Sequence, residues 1–262
     1  MSFKHLLVDH RGRVSWLYLN RPQALNAISY ECMRELKEAW ILLRDREQTR
    51  VIVVSGKGRG FCAGADLTDA PSPTELSGPQ APFLAAGEQM EEVLLGIPKP
   101  VIAAINGVCC GGGLELAMMC DFMIAAESAR IGDAHANFGA LPGGGATLRL
   151  PRLVGVNWAR YLMFTGELFA AAEMAAIGLV TRVVKDAELE SEVQSIAERI
   201  AGKSPLGLRR MKMLINDALD MPASLALKVE KLVAAEHMRS ADAVEGGKAF
   251  KEKRKPEFTG RQ

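Results

Sequence analysis

The stretches Gly60-Phe61-Cys62-Ala63-Gly64-Ala65-Asp66-Leu67 and Asn106-Gly107-Val108-Cys109-Cys110-Gly111-Gly112-Gly113-Leu114-Glu115-Leu116-Ala117 decide how this chain folds. Each follows an apolar run, Val51 to Ser55 and then Val101 to Ile105, of the kind that forms a buried strand. The glycine-containing turns therefore belong at the carboxyl ends of those strands, with backbone N–H groups left free. In the second stretch the glycines open an apolar helix, whose N-terminus adds partial positive charge. Two such turns side by side stabilise negative charge growing on a carbonyl oxygen, and each preorganised donor is typically worth about 3 kcal/mol.

Outward from these turns the pattern is α/β first and helical last. Val14 to Leu19 alternates like a strand, and Tyr30 to Arg44 carries Met33, Leu36, Trp40 and Leu43 at helical spacing before the strand at Val51. Strand, helix and strand imply a crossover unit. After Asp121 the strand-like runs shorten to Phe122–Ala125, Ala129–Ile131 and Leu179–Val184, and from Glu188 helical stripes dominate. The expected organisation is one α/β core over residues 1–187 and a helical region over 188–262. At 262 residues and 48% hydrophobic, the chain can bury one substantial core. Residues 68–82, rich in Pro, Ser, Thr and Gly, read as a mobile loop able to cover a ligand.

Composition excludes several classes. A net charge of +1 provides no global field for nucleic acid or membrane. The basic residues Lys248, Lys251, Lys253, Arg254 and Lys255, with Arg209, Arg210 and Lys212 further upstream, are the candidate RNA-binding stripe, but aromatics make up only 6% of the chain. The amino-terminal residues contain no continuous apolar stretch, so a cytoplasmic protein with no membrane span is expected. The cysteines, Cys32, Cys62, Cys109, Cys110 and Cys120, are odd in number and lack metal-ligand spacing, which reads as reduced core thiols and no metal site. Gly56-Lys57-Gly58-Arg59-Gly60 lacks the Gly-Lys-Ser/Thr ending of a triphosphate loop.

The two turns, together with Leu19-Asn20-Arg21-Pro22-Gln23-Ala24-Leu25-Asn26, Pro98-Lys99-Pro100-Val101, Phe138-Gly139-Ala140-Leu141-Pro142-Gly143-Gly144-Gly145 and Phe250-Lys251-Glu252-Lys253, closely resemble the crotonase superfamily of enoyl-CoA hydratases and isomerases. The resemblance spans essentially the whole chain. It implies a spiral of stacked ββα turns with a C-terminal helical trimerisation region, and trimers commonly paired into hexamers. It implies an acyl-CoA substrate and no cofactor beyond the coenzyme A that enters with it. By position in the matching motifs, the backbone N–H groups of Ala65 and Gly112 are the oxyanion donors. Gln23, Ala24, Leu25, Arg59, Ala63, Asp66 and Leu67 meet coenzyme A, Pro142 and Gly143 line the acyl pocket, and Phe250 and Lys253 reach the coenzyme of a neighbouring subunit.

The acid/base residues follow partly from the resemblance and partly from chemistry. Hydratases of this kind hold one water between two glutamates. The first is Glu115, an isolated acid on an apolar segment, costly to bury unless paired or functional. The position of the second holds His135, the one histidine of the four that falls within the motif. A neutral His135 can act as a base or hold water, whereas a protonated one forms an ion pair with Glu115 that quietens both. The leading expectation is hydration of trans-2-enoyl-CoA by Glu115 with His135 assisting. The alternatives are a C–C hydrolase of a β-diketone or β-keto thioester, whose relatives use such a His with an Asp where Gly144 stands, a double-bond isomerase, and a noncatalytic acyl-CoA- or RNA-binding member of the fold.

Overall fold

The computed structural model describes residues 3–69 and 82–261. Strands β1 (Leu6–Arg11) and β2 (Val14–Leu19) form an antiparallel hairpin in which Arg11 faces Val14, and Gly12 turns the corner with φ at 61°. Helix α1 (Tyr30–Asp45) then crosses to β3 (Val51–Gly56), which lies parallel to β2. Ser29 caps α1, its hydroxyl accepting from the Cys32 N–H at 3.2 Å. The expected stripe Met33, Leu36, Trp40 and Leu43 is the buried face of that helix.

From β3 onward the chain steps repeatedly between two sheets. The first steps are β4 (Gly60–Cys62), α2 (Pro82–Leu95), β5 (Val101–Ile105), β6 (Val108–Cys110) and α3 (Gly112–Met118). Next come β7 (Phe122–Ala126), β8 (Arg130–Gly132), a 3-10 turn at His135–Phe138 and α4 (Ala146–Thr165), and then β9 (Phe169–Ala170), α5 (Ala171–Ala176) and β10 (Arg182–Val184). One sheet has the order β1-β2-β3-β5-β7-β10, and the other β4-β6-β8-β9. Each ββα turn thus places one strand in the large sheet, one in the small sheet, and then a helix.

This topology corrects the expected placement of the two glycine turns. They do not leave the strands Val51–Gly56 and Val101–Ile105 directly but follow the short strands β4 and β6, which pair in parallel. Polar side chains fold the chain from sheet to sheet. Asn26 Nδ2 donates to Lys57 O at 2.9 Å and Gly60 O at 2.7 Å, while Asn106 Oδ1 accepts from the Gly56 N–H at 3.1 Å. Strands of three residues are too short to carry a period. Likewise, only Arg182–Val184 of the run Leu179–Val184 is a strand. The Leu179 and Val180 N–H groups both donate to Met174 O at the end of α5, so these apolar residues are buried in a turn.

The large sheet is covered on both faces. One face packs on α1, α2, α3 and α4; the other sets Trp16, Tyr18, Val53, Ile102 and Ile124 against Leu189, Val193, Ala197 and Ala201 of α6 (Leu189–Ala201). A helical region beginning at residue 188 therefore opens with a helix that belongs to the core. Only α7 (Pro205–Ala218), α8 (Ala223–His237) and α9 (Ala241–Lys251) stand off the sheet. Lys212 of α7 is fastened to the core by Asp121 at 2.9 Å and by the Lys99 carbonyl at 3.1 Å. All five cysteines are buried and free, and burial pushes the Cys32 and Cys62 thiols up to about 12. The expected loop at 68–82 lies largely outside the described residues.

Candidate active site

The second halves of two successive ββα turns bring the glycine segments face to face. Gly64 takes φ at 102°, a conformation that L side chains rarely adopt, and a Cβ there would stand 3.1 Å from Cys110 O and 3.3 Å from Gly112 N. A Cβ on Gly112 would be 3.5 Å from Ala65 N. The two amides are thus neighbours across a gap that only small residues leave open. Gly112 is the first residue of α3, so its N–H has no intrahelical acceptor. Ala65 pairs with Ile28 through a bridge whose hydrogen bonds run from Ile28 N–H to Gly64 O and from Asp66 N–H to Ile28 O, which leaves the Ala65 N–H outside it.

Glu115, in the first turn of α3, is 5% exposed. Its Oε1 accepts from the Gly144 N–H at 2.7 Å and the Ala146 N–H at 3.1 Å, so that oxygen is committed to the turn before α4. Its Oε2 faces His135 Nε2 at 3.8 Å, longer than a direct hydrogen bond. Burial is the largest influence on this carboxyl and pushes its pKa up, against the two backbone donors and His135.

His135 is held from its other side. Its Nδ1 lies 3.0 Å from both oxygens of Asp133, and its backbone N–H donates to Asp133 Oδ1 at 3.2 Å. Ala134, between them, adopts the left-handed conformation with φ at 62°, which folds the two side chains onto each other. Asp133 is 1% exposed. The hydrogen bond to Asp133 is the largest effect on His135 and raises its pKa, with burial opposing. A donor bond from Nδ1 to Asp133 fixes the tautomer, so that Nε2 is the nitrogen presented to Glu115. Asp133 is the residue that sequence reasoning passed over; an acid two positions before a site histidine, with a small residue between, was the available signal.

The other expected residues divide into groups. Gln23 and Ala24 form a 3-10 turn, and Leu25 O accepts from the Ala63 N–H at 3.0 Å, so this segment lies against the first glycine turn. Arg59 and Leu67 are exposed nearby in the chain. Asp66 is buried, its carboxylate paired with Arg21 Nη2 at 2.7 Å and bonded to Thr68, so its side chain braces the first glycine turn. Pro142 and Gly143 precede the N–H groups that hold Glu115. Phe250 is 86% exposed, and the tail after it is tied to α9 and Arg50, not to the two turns, by Arg254–Glu245 and by the Phe258 carbonyl accepting from Arg50. Among the described residues, no group of three or more His, Cys, Asp or Glu is placed to hold a metal, and no helix is long and apolar enough to cross a membrane.

Comparison with known proteins points to one family. The family model for enoyl-CoA hydratase/isomerase matches residues 10–261. The chain is 36% identical to a crotonyl-CoA hydratase of Syntrophomonas wolfei, over 98% of this chain and 99% of the relative. It is 39% identical to a probable enoyl-CoA hydratase of Rhizobium meliloti, again over 98% and 99%. The crystal structure of an enoyl-CoA hydratase from Bacillus anthracis superposes with a TM-score of 0.93 at 36% identity, covering 98% of this chain and 100% of that one.

Proposed function

Because the chain belongs to the enoyl-CoA hydratase/isomerase family, we propose that it adds water across the double bond of trans-2-enoyl-CoA thioesters, with the pair Glu115 and His135 as its acid/base machinery. The observation that carries this is the 3.8 Å separation of Glu115 Oε2 from His135 Nε2, beside a turn with two unspent amide donors. The thioester oxygen accepts from the Ala65 and Gly112 N–H groups. Ionised Glu115 takes a proton from water held between it and His135, and the hydroxide adds to the β-carbon. The π pair moves onto the α-carbon and carbonyl as an enolate, which the two donors stabilise. Protonated His135, supported by Asp133, then delivers its proton to the α-carbon. Return of the proton from Glu115 to His135 resets the site.

Replacing a second glutamate by histidine makes the division of labour unequal, since the cationic group is the proton donor and the carboxylate the acceptor. The C–C hydrolase alternative would need an acid at position 144. A Cβ there would stand 3.0 Å from Glu115 Oε2 and 3.1 Å from Glu91 Oε1, so an acid at that position would meet the like charge of two other carboxyl groups. The same proposal assigns coenzyme A recognition to the segments holding Gln23, Ala24, Leu25, Arg59, Ala63, Asp66 and Leu67, and lines the acyl pocket with Pro142 and Gly143.

A trimer, or a pair of trimers, fits the apolar side chains on α4 and α7–α9, among them Phe164 at 78% exposed and Leu232 at 72%. In that assembly Phe250 and Lys253 serve a neighbour's coenzyme. A cytoplasmic place in fatty acyl-CoA metabolism accompanies this reading. The test is turnover of crotonyl-CoA and a longer trans-2-enoyl-CoA, followed by loss of the conjugated enoyl absorbance. Hydration that Glu115→Gln abolishes supports the proposal; thioester binding without turnover of either substrate refutes it.

A further inference from the structure

The hydration mechanism leaves one acid at this site without a task. Glu91, on α2, sends its Oε1 to within 3.1 Å of the point where a Gly144 Cβ would stand, and Glu115 Oε2 lies 3.0 Å from that same point. The two carboxyl oxygens are therefore no more than about 6 Å apart, the range in which like charges disfavour each other's ionisation. The oxygen of Glu115 involved is Oε2, the one that faces His135, and not Oε1, which is committed to Gly144 and Ala146. Glu91 accordingly stands on the reactive side of Glu115.

Among the described residues, no hydrogen bond or ion pair engages the Glu91 side chain. Met90 and Leu94 of α2 are buried in the core, and Glu91 sits half-buried at the edge of that face. Burial pushes its carboxyl up, Arg149 draws it down, and Glu115 and Glu88 push it up again. Arg149 spends Nη1 on the Gly144 carbonyl at 3.2 Å, and among the described residues it makes no direct ion pair with Glu91. A pocket built only for an alkyl tail is lined with apolar side chains. A half-buried carboxyl beside an acid/base carboxylate is costly unless something donates to it.

We propose that Glu91 is a specificity-determining residue, which accepts a hydrogen bond from a hydroxyl on the acyl chain just beyond the reacting double bond. The inference rests on the hydratase reading of the site. Arg149 already places a positive charge nearby without bonding to Glu91, so the matching group is a neutral donor and not an ammonium. Such a site discriminates against the plain alkyl acyl group because, without the hydroxyl, the carboxyl is left unpaired.

Binding of 4-hydroxybutyryl-CoA and butyryl-CoA, saturated thioesters that cannot be hydrated, is the direct test, measured by calorimetry on wild type, Glu91→Gln and Glu91→Leu. Wild type is expected to bind the hydroxylated thioester about tenfold more tightly. Glu91→Leu is expected to lose or invert that preference, and Glu91→Gln, which keeps an acceptor, to retain part of it. Equal affinities in wild type, or a ratio unchanged in Glu91→Leu, overturn the proposal while crotonyl-CoA turnover by wild type leaves the hydratase reading standing. Failure of both thioesters to bind overturns this inference, and absence of crotonyl-CoA turnover beside it overturns the hydratase reading as well.

Discussion

His135 Nδ1 lies equidistant, at 3.0 Å, from the two carboxylate oxygens of the buried Asp133. The imidazole is thereby oriented through one nitrogen and left to act through the other. The contact raises the His135 pKa and so favours the protonated ring, the form that the proposed mechanism needs to deliver a proton to carbon.

Asp133→Asn keeps the shape of the support and removes its charge. The variant is expected to lower the pKa of His135 and to move the alkaline limb of kcat to lower pH, with thioester affinity little changed. A histidine whose folded pKa is raised contributes stability that is complete below its unfolded pKa and is lost as pH rises through the folded one. The variant should therefore be destabilised most in acid, and the difference should shrink as pH rises above the folded pKa. An NMR titration of the His135 ring reads the shift directly; an unmoved midpoint would sink the dyad.

The wild-type rate should follow a bell against pH. The proposed cycle needs Glu115 ionised and His135 protonated. Activity is thus lost as pH falls through the Glu115 pKa, which lies above its ordinary value, and as pH rises through that of His135, also raised. A rate that climbs monotonically past the alkaline limb would assign His135 the role of base instead.

Glu115→Gln should cost about 10²- to 10⁴-fold in kcat while raising thermal stability at neutral pH. The sign follows from the raised pKa: an acid that binds its proton more tightly when folded is most favourable to folding below its unfolded pKa, and that advantage is lost as pH rises through the folded value. The gain in Tm from the amide is therefore expected at pH 7 and absent near pH 4. Equal melting temperatures at both would mean that the carboxylate is fully compensated by the Gly144 and Ala146 donors.

Gly64→Ala tests the geometry of the carbonyl site. The new methyl would sit in a left-handed backbone, 3.3 Å from Gly112 N, and would crowd the space a thioester oxygen needs. Loss of one donor of this kind costs about 10²- to 10³-fold. Steady-state kinetics should show the loss in kcat/KM, with circular dichroism confirming that the variant still folds. Wild-type turnover would remove these amides from the mechanism.

How much of this was legible in the sequence differs by element. The strands Val14–Leu19 and Val101–Ile105 and the stripe of α1 were readable because long apolar runs and a 3.6 period are local signals. β4 and β6 were not, since a three-residue strand has no period and is defined by pairing with its partner. Glu115 stood out as a lone acid in an apolar helix. Asp133 did not, because its contact with His135 depends on the left-handed turn at Ala134, and Glu91 comes near Glu115 only through the placement of α2 beside the turn at Gly144.

The outer helices supply the last prediction. Ile215 of α7 is 66% exposed, Leu232 of α8 is 72% exposed and Val244 of α9 is 63% exposed, apolar surface of the kind the proposed trimer would cover. α7 is anchored to the core by Lys212 and Asp121, so these side chains sit on a fixed platform and not on a loose tail. Sedimentation equilibrium is expected to give a mass of three or six chains. Leu232→Glu, which places a charge where a partner would bury it, should shift that mass toward the monomer. If Phe250 and Lys253 act on a neighbour's coenzyme, the same variant raises KM for the thioester although position 232 is not assigned to the site. A wild-type chain that sediments as a monomer and still turns over would require coenzyme A to be bound without the tail.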